Sequence, residues 1–179
     1  MSDDGIRVMS REEMAARIAF FGEQTPDRNL MITQSIPGMQ RDIYSIIGPG
    51  VSENAKTQPA IVDSTGFNVA YVGAAPGSAS GLHSHEEVEV FIPISGTWSL
   101  FWNEGDDREQ VVIGPMDCVS VPGGVMRAFR NVGSDYGYLL VIIGSTANAA
   151  VTRPKQIVDA ARAAGATLNE KGKLVLAGE

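Results

Sequence analysis

One cysteine and two histidines are all that the 179 residues contain of these types, and the scarcity excludes a good deal. A single thiol, Cys118, rules out an internal disulfide and a zinc-thiolate cluster. It lies in the apolar run "DCVSVP", where a small buried hydrophobe is the expected role. Long apolar runs are lacking too. "YLLVII" from Tyr138 is far too short to span a bilayer, and "MSDDGIRVMS" has no apolar core of a signal peptide. Positive charge is in the minority, with 14 Lys and Arg against 21 Asp and Glu for a net charge of −7. Nucleic acid and anionic membranes reward a basic face, so neither is an expected partner. No phosphate-binding loop, dinucleotide fingerprint or serine-nucleophile motif occurs. A cytoplasmic protein of one domain is the expectation.

Turn-formers, by contrast, are plentiful. From about residue 42, glycine- and proline-rich turns such as "GPG", "APGSASG" and "NVGSD" separate short β-rich runs. These runs are "DIYSII", "PAIVD", "FNVAYV", "VEVFIPI", "TWSLFW", "EQVVI", "DCVSV", "MRAFRN" and "YLLVII", at the spacing of a sandwich or small barrel. Helical signals stand only at the ends. In "SREEMAARIAFFG", Ser10 and Glu13 have capping-box spacing, Met9 and Met14 staple spacing, and Gly22 suits a stop. In "RPKQIVDAARAAG", Pro154 suits a helix start and Gly165 its end. Pro26 and Pro37 make the intervening N-terminal stretch an irregular arm. The predicted organisation is a helix and arm over 1–41, a β-barrel over 42–146 and a helical tail over 147–179.

The run "VEVFIPI" is informative in itself. Val88, Val90, Ile92 and Ile94 fall on one face, Glu89, Phe91 and Pro93 on the other, and both are apolar apart from Glu89. A strand exposed on one side alternates more cleanly. The outer face therefore calls for a cover: the arm, a terminal helix or, as favoured here, a second copy in a homodimer.

Both histidines lie just before this run, in "GSASGLHSHEEVEVFIPISG". Residues two apart diverge on a helix but share a face on a strand, where His83 and His85 can converge on one ion. A continuous strand would carry Glu89 roughly 13 Å beyond His85, whereas donors to one metal lie about 2 Å from it. If the three act together, the chain must turn back at Glu86 and Glu87, placing the site where two strands meet inside the sandwich. A carboxylate among apolar residues needs a cation or hydrogen-bond donors. A loop mouth with a surface carboxylate is the competing reading.

The stretch resembles the first signature of the cupin family: a glycine, His-x-His, a glutamate and a closing glycine. Gly77, His83, His85, Glu89 and Gly96 occupy every defined place. "MDCVSVPGGVMRAFRN" is similar to the second signature through Pro122, Gly124 and Asn131, but Arg127 stands where the family has histidine, and Met116 where it opens on glycine. The resemblance implies a double-stranded β-helix, or jelly roll, and a metal centre of three histidines and one glutamate. Here it would supply His83, His85 and Glu89 to one divalent iron, manganese, nickel or zinc ion.

Arg127 leaves two outcomes open, because a guanidinium has no lone pair to give a metal. In one, the metal binds with open positions, and Arg127 and Glu89 serve catalysis, Arg127 as an anion clamp. That reading is a metal-dependent oxygenase, isomerase or lyase acting on a small organic acid or phenolic. In the other, Arg127 pairs with Glu89 and expels the metal, leaving a pocket for a small acidic ligand. A metal-free epimerase with a histidine base is a third reading. Phe91 and Phe129 are expected to line the pocket, and Arg130 falls on the face opposite Arg127.

Overall fold

The computed structural model describes residues 6–145 and 147–178. Eight strands form two facing sheets. They are β1 (Asp42–Ile47), β2 (Asn68–Ala74), β3 (Glu89–Pro93), β4 (Trp98–Trp102), β5 (Glu109–Ile113), β6 (Val119–Val121), β7 (Arg127–Asn131) and β8 (Gly137–Ile143). One sheet has the order β1-β2-β8-β3-β6 and the other β5-β4-β7, with every pairing antiparallel. The molecule is a mainly β, double-stranded β-helix. Period-two alternation builds its core: Ile43, Val72, Phe91, Leu139 and Val141 face inward from the larger sheet, Trp98, Leu100 and Phe129 from the smaller.

The strand runs hold with two corrections. "PAIVD" forms no strand: only buried Ile61 bridges to Ile47, while Val62 is exposed. One apolar contact does not sustain a ladder. Cys118 is exposed rather than buried. In the edge strand β6, Val121 and Val119 pack against the core, which sets residues of the other parity, Ser120 and Cys118, facing outward.

The N-terminal helix is shorter than expected. Its capping box is present, with Ser10 Oγ accepting from Glu13 N and Glu13 accepting from Ser10 N. Yet α1 spans only Arg11–Ala15 and buries none of its residues. A helix with no face to bury has little beyond propensity to hold it. Gly22 sits inside a separate 3₁₀ turn, Phe21–Glu23, that lays Phe21 against Tyr44, Tyr71 and Tyr138 on the outer face of the larger sheet. The arm thus covers part of that face, while Val88 and Ile94 stay exposed. Beyond Phe21 it crosses the body, bridging Asp27 to Ile43 on β1 and forming a 3₁₀ turn, Ile32–Ser35.

The tail carries α2 (Lys155–Ala163), started by Pro154, and Gly165 follows with φ +85°. It is not wholly helical, because β9 (Ala166–Leu168) and β10 (Leu174–Leu176) close it as a hairpin. Ala161 and Ala166 bury against Ile32 and Ile36 of the arm. Arm and tail therefore share a small core outside the barrel. No helix among the described residues is long and apolar enough to cross a membrane.

Candidate functional site

The segment before β3 builds the site. Ser80 and His83 pair with Phe129 and Arg127, so the segment extends the smaller sheet beyond β7. Ser84 pairs on its other side with Thr152 of the tail. Gly81 lies where a Cβ would come 2.7 Å from Thr33 of the arm and 3.2 Å from Ile157 of α2. The chain then bends at Glu86 and Glu87 and returns as β3 with Glu89 as its first residue. The turn after β6 holds this bend: Gly124 N donates to His85 O at 2.8 Å, and a Cβ on Gly123 would lie 1.9 Å from Glu86 O. The histidines thus come from one sheet edge and the glutamate from the other sheet.

His83, His85 and Glu89 are all buried, and one potential ligand atom of each lies within 4.8 Å of the others. His83 Nδ1 donates to Gly81 O at 2.8 Å, which leaves the lone pair on Nε2, 4.0 Å from Glu89 Oε2. Burial holds the His83 imidazolium down to about pH 4, against the pull of Glu89 and with the help of Arg127, so the ring is neutral near pH 7.

Arg127 is wholly buried among these groups. Its Nε donates to Glu89 Oε2 at 2.8 Å, its Nη1 to Val125 O at 2.9 Å, and its Nη2 to His85 Nε2. A guanidinium only donates, so His85 Nε2 accepts and its proton sits on Nδ1. That nitrogen lies 3.2 Å from Glu87 Oε2, a charge contact without hydrogen-bond alignment. The 3.2 Å approach of His85 Nε2 to Glu89 Oε2 is then one of two acceptors bridged by Arg127. Burial pushes the Glu89 carboxyl up, but the buried Arg127 guanidinium that donates to it outweighs that, and the carboxyl stays below its ordinary range. Arg130, on the opposite face of β7, is exposed.

A divalent ion here would need the lone pairs of His83, His85 and Glu89 together. Two of those three atoms already receive N–H groups of a permanent cation that cannot itself be a ligand. As arranged, the donor set fits the guanidinium and not a dication.

A cavity of about 50 Å³ lies beside this network, between the sheets. His83, Glu89 and Phe129 line it, while His85, Arg127 and Phe91 do not. Phe91 is fully buried with its ring 5.8 Å from that of Phe129, and so belongs to the core rather than the pocket. Apolar groups such as Val72, Val141 and Ile143 make up most of the wall, with Ser45, Asn68, Ser80 and Arg41 adding polar atoms. Arg41 belongs to no motif. Its only sequence signal is that it shares parity with Ile43 and Ser45, which also line the cavity.

Residues 70–143 match a family model described as a cupin domain. No curated protein matches the chain in sequence. Solved structures resemble its fold. An oxalate oxidase in complex with the substrate analogue glycolate aligns at TM-score 0.56 and 16% identity, over 85% of this chain and 71% of that one. A cupin 2 domain-containing protein from Halorhodospira halophila aligns at 0.52 and 18%, over 69% and 77%. The oxalate decarboxylase of Lactobacillus farciminis aligns at 0.51 and 15%, over 66% of this chain and 32% of that one, so the chain spans about a third of the decarboxylase.

Proposed function

The chain belongs to the cupin family, and we propose that it binds a small acidic organic molecule in the cavity beside His83 and Glu89 without a resident metal. The observation that carries this reading is the Arg127 guanidinium, hydrogen-bonded to Glu89 Oε2 and His85 Nε2, two of the three atoms a metal would use. His83, neutral and held through Nδ1 by the Gly81 carbonyl, stands at the cavity wall with its Nε2 lone pair available to a ligand donor. Such a group accepts a hydrogen bond from a ligand hydroxyl or amide, and because it stays neutral down to about pH 4 it is a weak base, so the site favours recognition over proton abstraction. On the outer face, exposed Val88 and Ile94 support pairing with a second copy of the chain.

A second reading keeps the metal. It rests on the ligand atoms of His83, His85 and Glu89 lying within 4.8 Å and on the likeness to the oxalate enzymes. It requires the Arg127 side chain to leave its three partners. Elemental analysis of untagged protein purified without chelator separates the two. Metal far below one equivalent, with no uptake of added Mn(II), Fe(II), Ni(II) or Zn(II), is the expected result. Near-stoichiometric metal would overturn the metal-free reading.

A further inference from the structure

A second set of buried charges lies on the other side of the cavity wall, where arm, barrel and tail meet. Arg41, Glu53 and Arg153 are each more than nine-tenths buried at the residue or side-chain level. Glu53 is the one carboxylate of the three. Its Oε1 pairs with Arg153 Nη1, and its Oε2 accepts from Ile32 N at 2.8 Å. Arg41 has only neutral partners: Met39 O at 2.9 Å, Thr33 Oγ1 at 2.9 Å and Met31 Sδ at 3.4 Å. It makes no ion pair among the described residues, and Arg153 Nε has no hydrogen-bond partner. Two buried arginines thus share one carboxylate, and one positive charge stands uncompensated.

An uncompensated buried charge is costly. Burial and the neighbouring Arg153 lower the Arg41 pKa to about 10, far too high for the group to lose its proton near pH 7. Arg41 also lines the cavity that His83 and Glu89 line. An anion in the cavity would supply the missing charge in a dry, apolar setting, where a charge-assisted hydrogen bond is strong.

We infer that the cavity is a receptor for one short-chain carboxylate, and that Arg41, not Arg127, receives its charge. This rests on the reading of the cavity as a site for a small acidic molecule and names the group that recognises it. Arg127 is unsuited to the task because it does not line the cavity and its charge is already met by the Glu89 carboxylate. The volume restricts the ligand. At roughly 10–15 Å³ per water-sized centre, about 50 Å³ suits an acid with few heavy atoms, on the scale of acetate or propanoate. His83 Nε2 then faces the ligand from another part of the wall and accepts from any donor it carries.

Thermal unfolding of the full chain at constant ionic strength tests the inference, with sodium propanoate and its neutral analogue propanamide as probes. Propanoate is expected to raise the Tm with the logarithm of its concentration, and propanamide to leave it unchanged. Arg41→Met removes a buried charge that lacks a counter-ion, so it is expected to fold and to lower propanoate affinity by roughly thirtyfold or more. Arg41→Lys, which keeps the charge but not the fork, is expected to fall between them. It decides the matter, with the wild-type comparison, should Arg41→Met fail to fold. A propanoate response undiminished in Arg41→Met, or in Arg41→Lys in that case, would overturn the role of Arg41 and leave the acidic-ligand reading standing. Equal shifts from propanamide and propanoate, or none from either, would overturn both.

Discussion

Arg127 Nε donates to Glu89 Oε2 at 2.8 Å, across 38 positions of sequence and with both side chains buried. The bond joins β7 of the smaller sheet to β3 of the larger one, so it is also a fastening between sheets. Its Nη2 contact with His85 brings in the turn between them. A single guanidinium, at the position where the signature has its third histidine, thereby fastens Glu89 and His85 together.

Removing that guanidinium leaves Glu89 buried without its cation. Arg127→Ala is expected to lose on the order of 3–5 kcal/mol of stability, the usual penalty for breaking one side of a buried pair. Arg127→His is expected to be destabilised in EDTA and to recover Tm when Zn(II) or Mn(II) is added, because imidazole completes the donor set with His83, His85 and Glu89. Adding His83→Ala to that variant is expected to abolish the recovery. A metal response equal in wild type and Arg127→His would show that residue 127 does not control the site.

Acid should weaken the fold through His83. In the unfolded chain its imidazole takes a proton near the ordinary value of 6.5, but in the folded chain only at about 4. Between those values the unfolded state binds more protons, so stability falls as pH falls. The group's contribution is complete above about pH 6.5 and gone below about pH 4, and amounts to on the order of 3 kcal/mol. Urea unfolding of wild type and His83→Gln across pH 4–7 measures it. A flat difference between the two proteins would remove His83 as the cause.

Most of the barrel was legible because period-two runs carry their own register. "VEVFIPI" became β3 with Glu89, Phe91 and Pro93 buried, and the turn at Glu86 and Glu87 followed from the reach of three ligand atoms. Met116, which stands at the family's opening glycine, does adopt φ +75°. What stayed hidden depends on partners distant in sequence. Whether Arg127 faced a metal or replaced it turns on 38 residues of intervening fold, and Arg153 meets Glu53 across 100. The short α1 and the isolated bridge of Ile61 were hidden for a related reason: local propensity was present, but no face was available to bury.

The bend that carries the histidines depends on Gly123 for space and Gly124 for dihedral freedom, and the two should fail differently. A Cβ at 123 would lie 1.9 Å from the Glu86 carbonyl oxygen and 2.7 Å from its carbon, backbone atoms that cannot rotate away. Gly123→Ala is expected to cost about 3 kcal/mol. At Gly124 nothing stands within 4 Å, and φ +79° is the only obstacle, so Gly124→Ala is expected to cost about 1–2 kcal/mol. Denaturant unfolding ranks them, and the reverse order would mean that the bend is fixed elsewhere.

Glu53 holds together three parts of the chain. Through Ile32 N it fixes the arm, and through Arg153 the tail, while sitting in the loop after β1. Glu53→Gln is expected to cost on the order of 3–5 kcal/mol, since both arginines then stay buried with no carboxylate. If the surplus charge of Arg41 is the origin of that cost, adding Arg41→Met removes part of it. The double variant should then be more stable than Glu53→Gln alone, a coupling that a double-mutant cycle in urea reads directly. Additive effects would mean instead that Glu53 acts only as a mechanical link between arm and tail, and that its carboxylate does not offset the charge of Arg41.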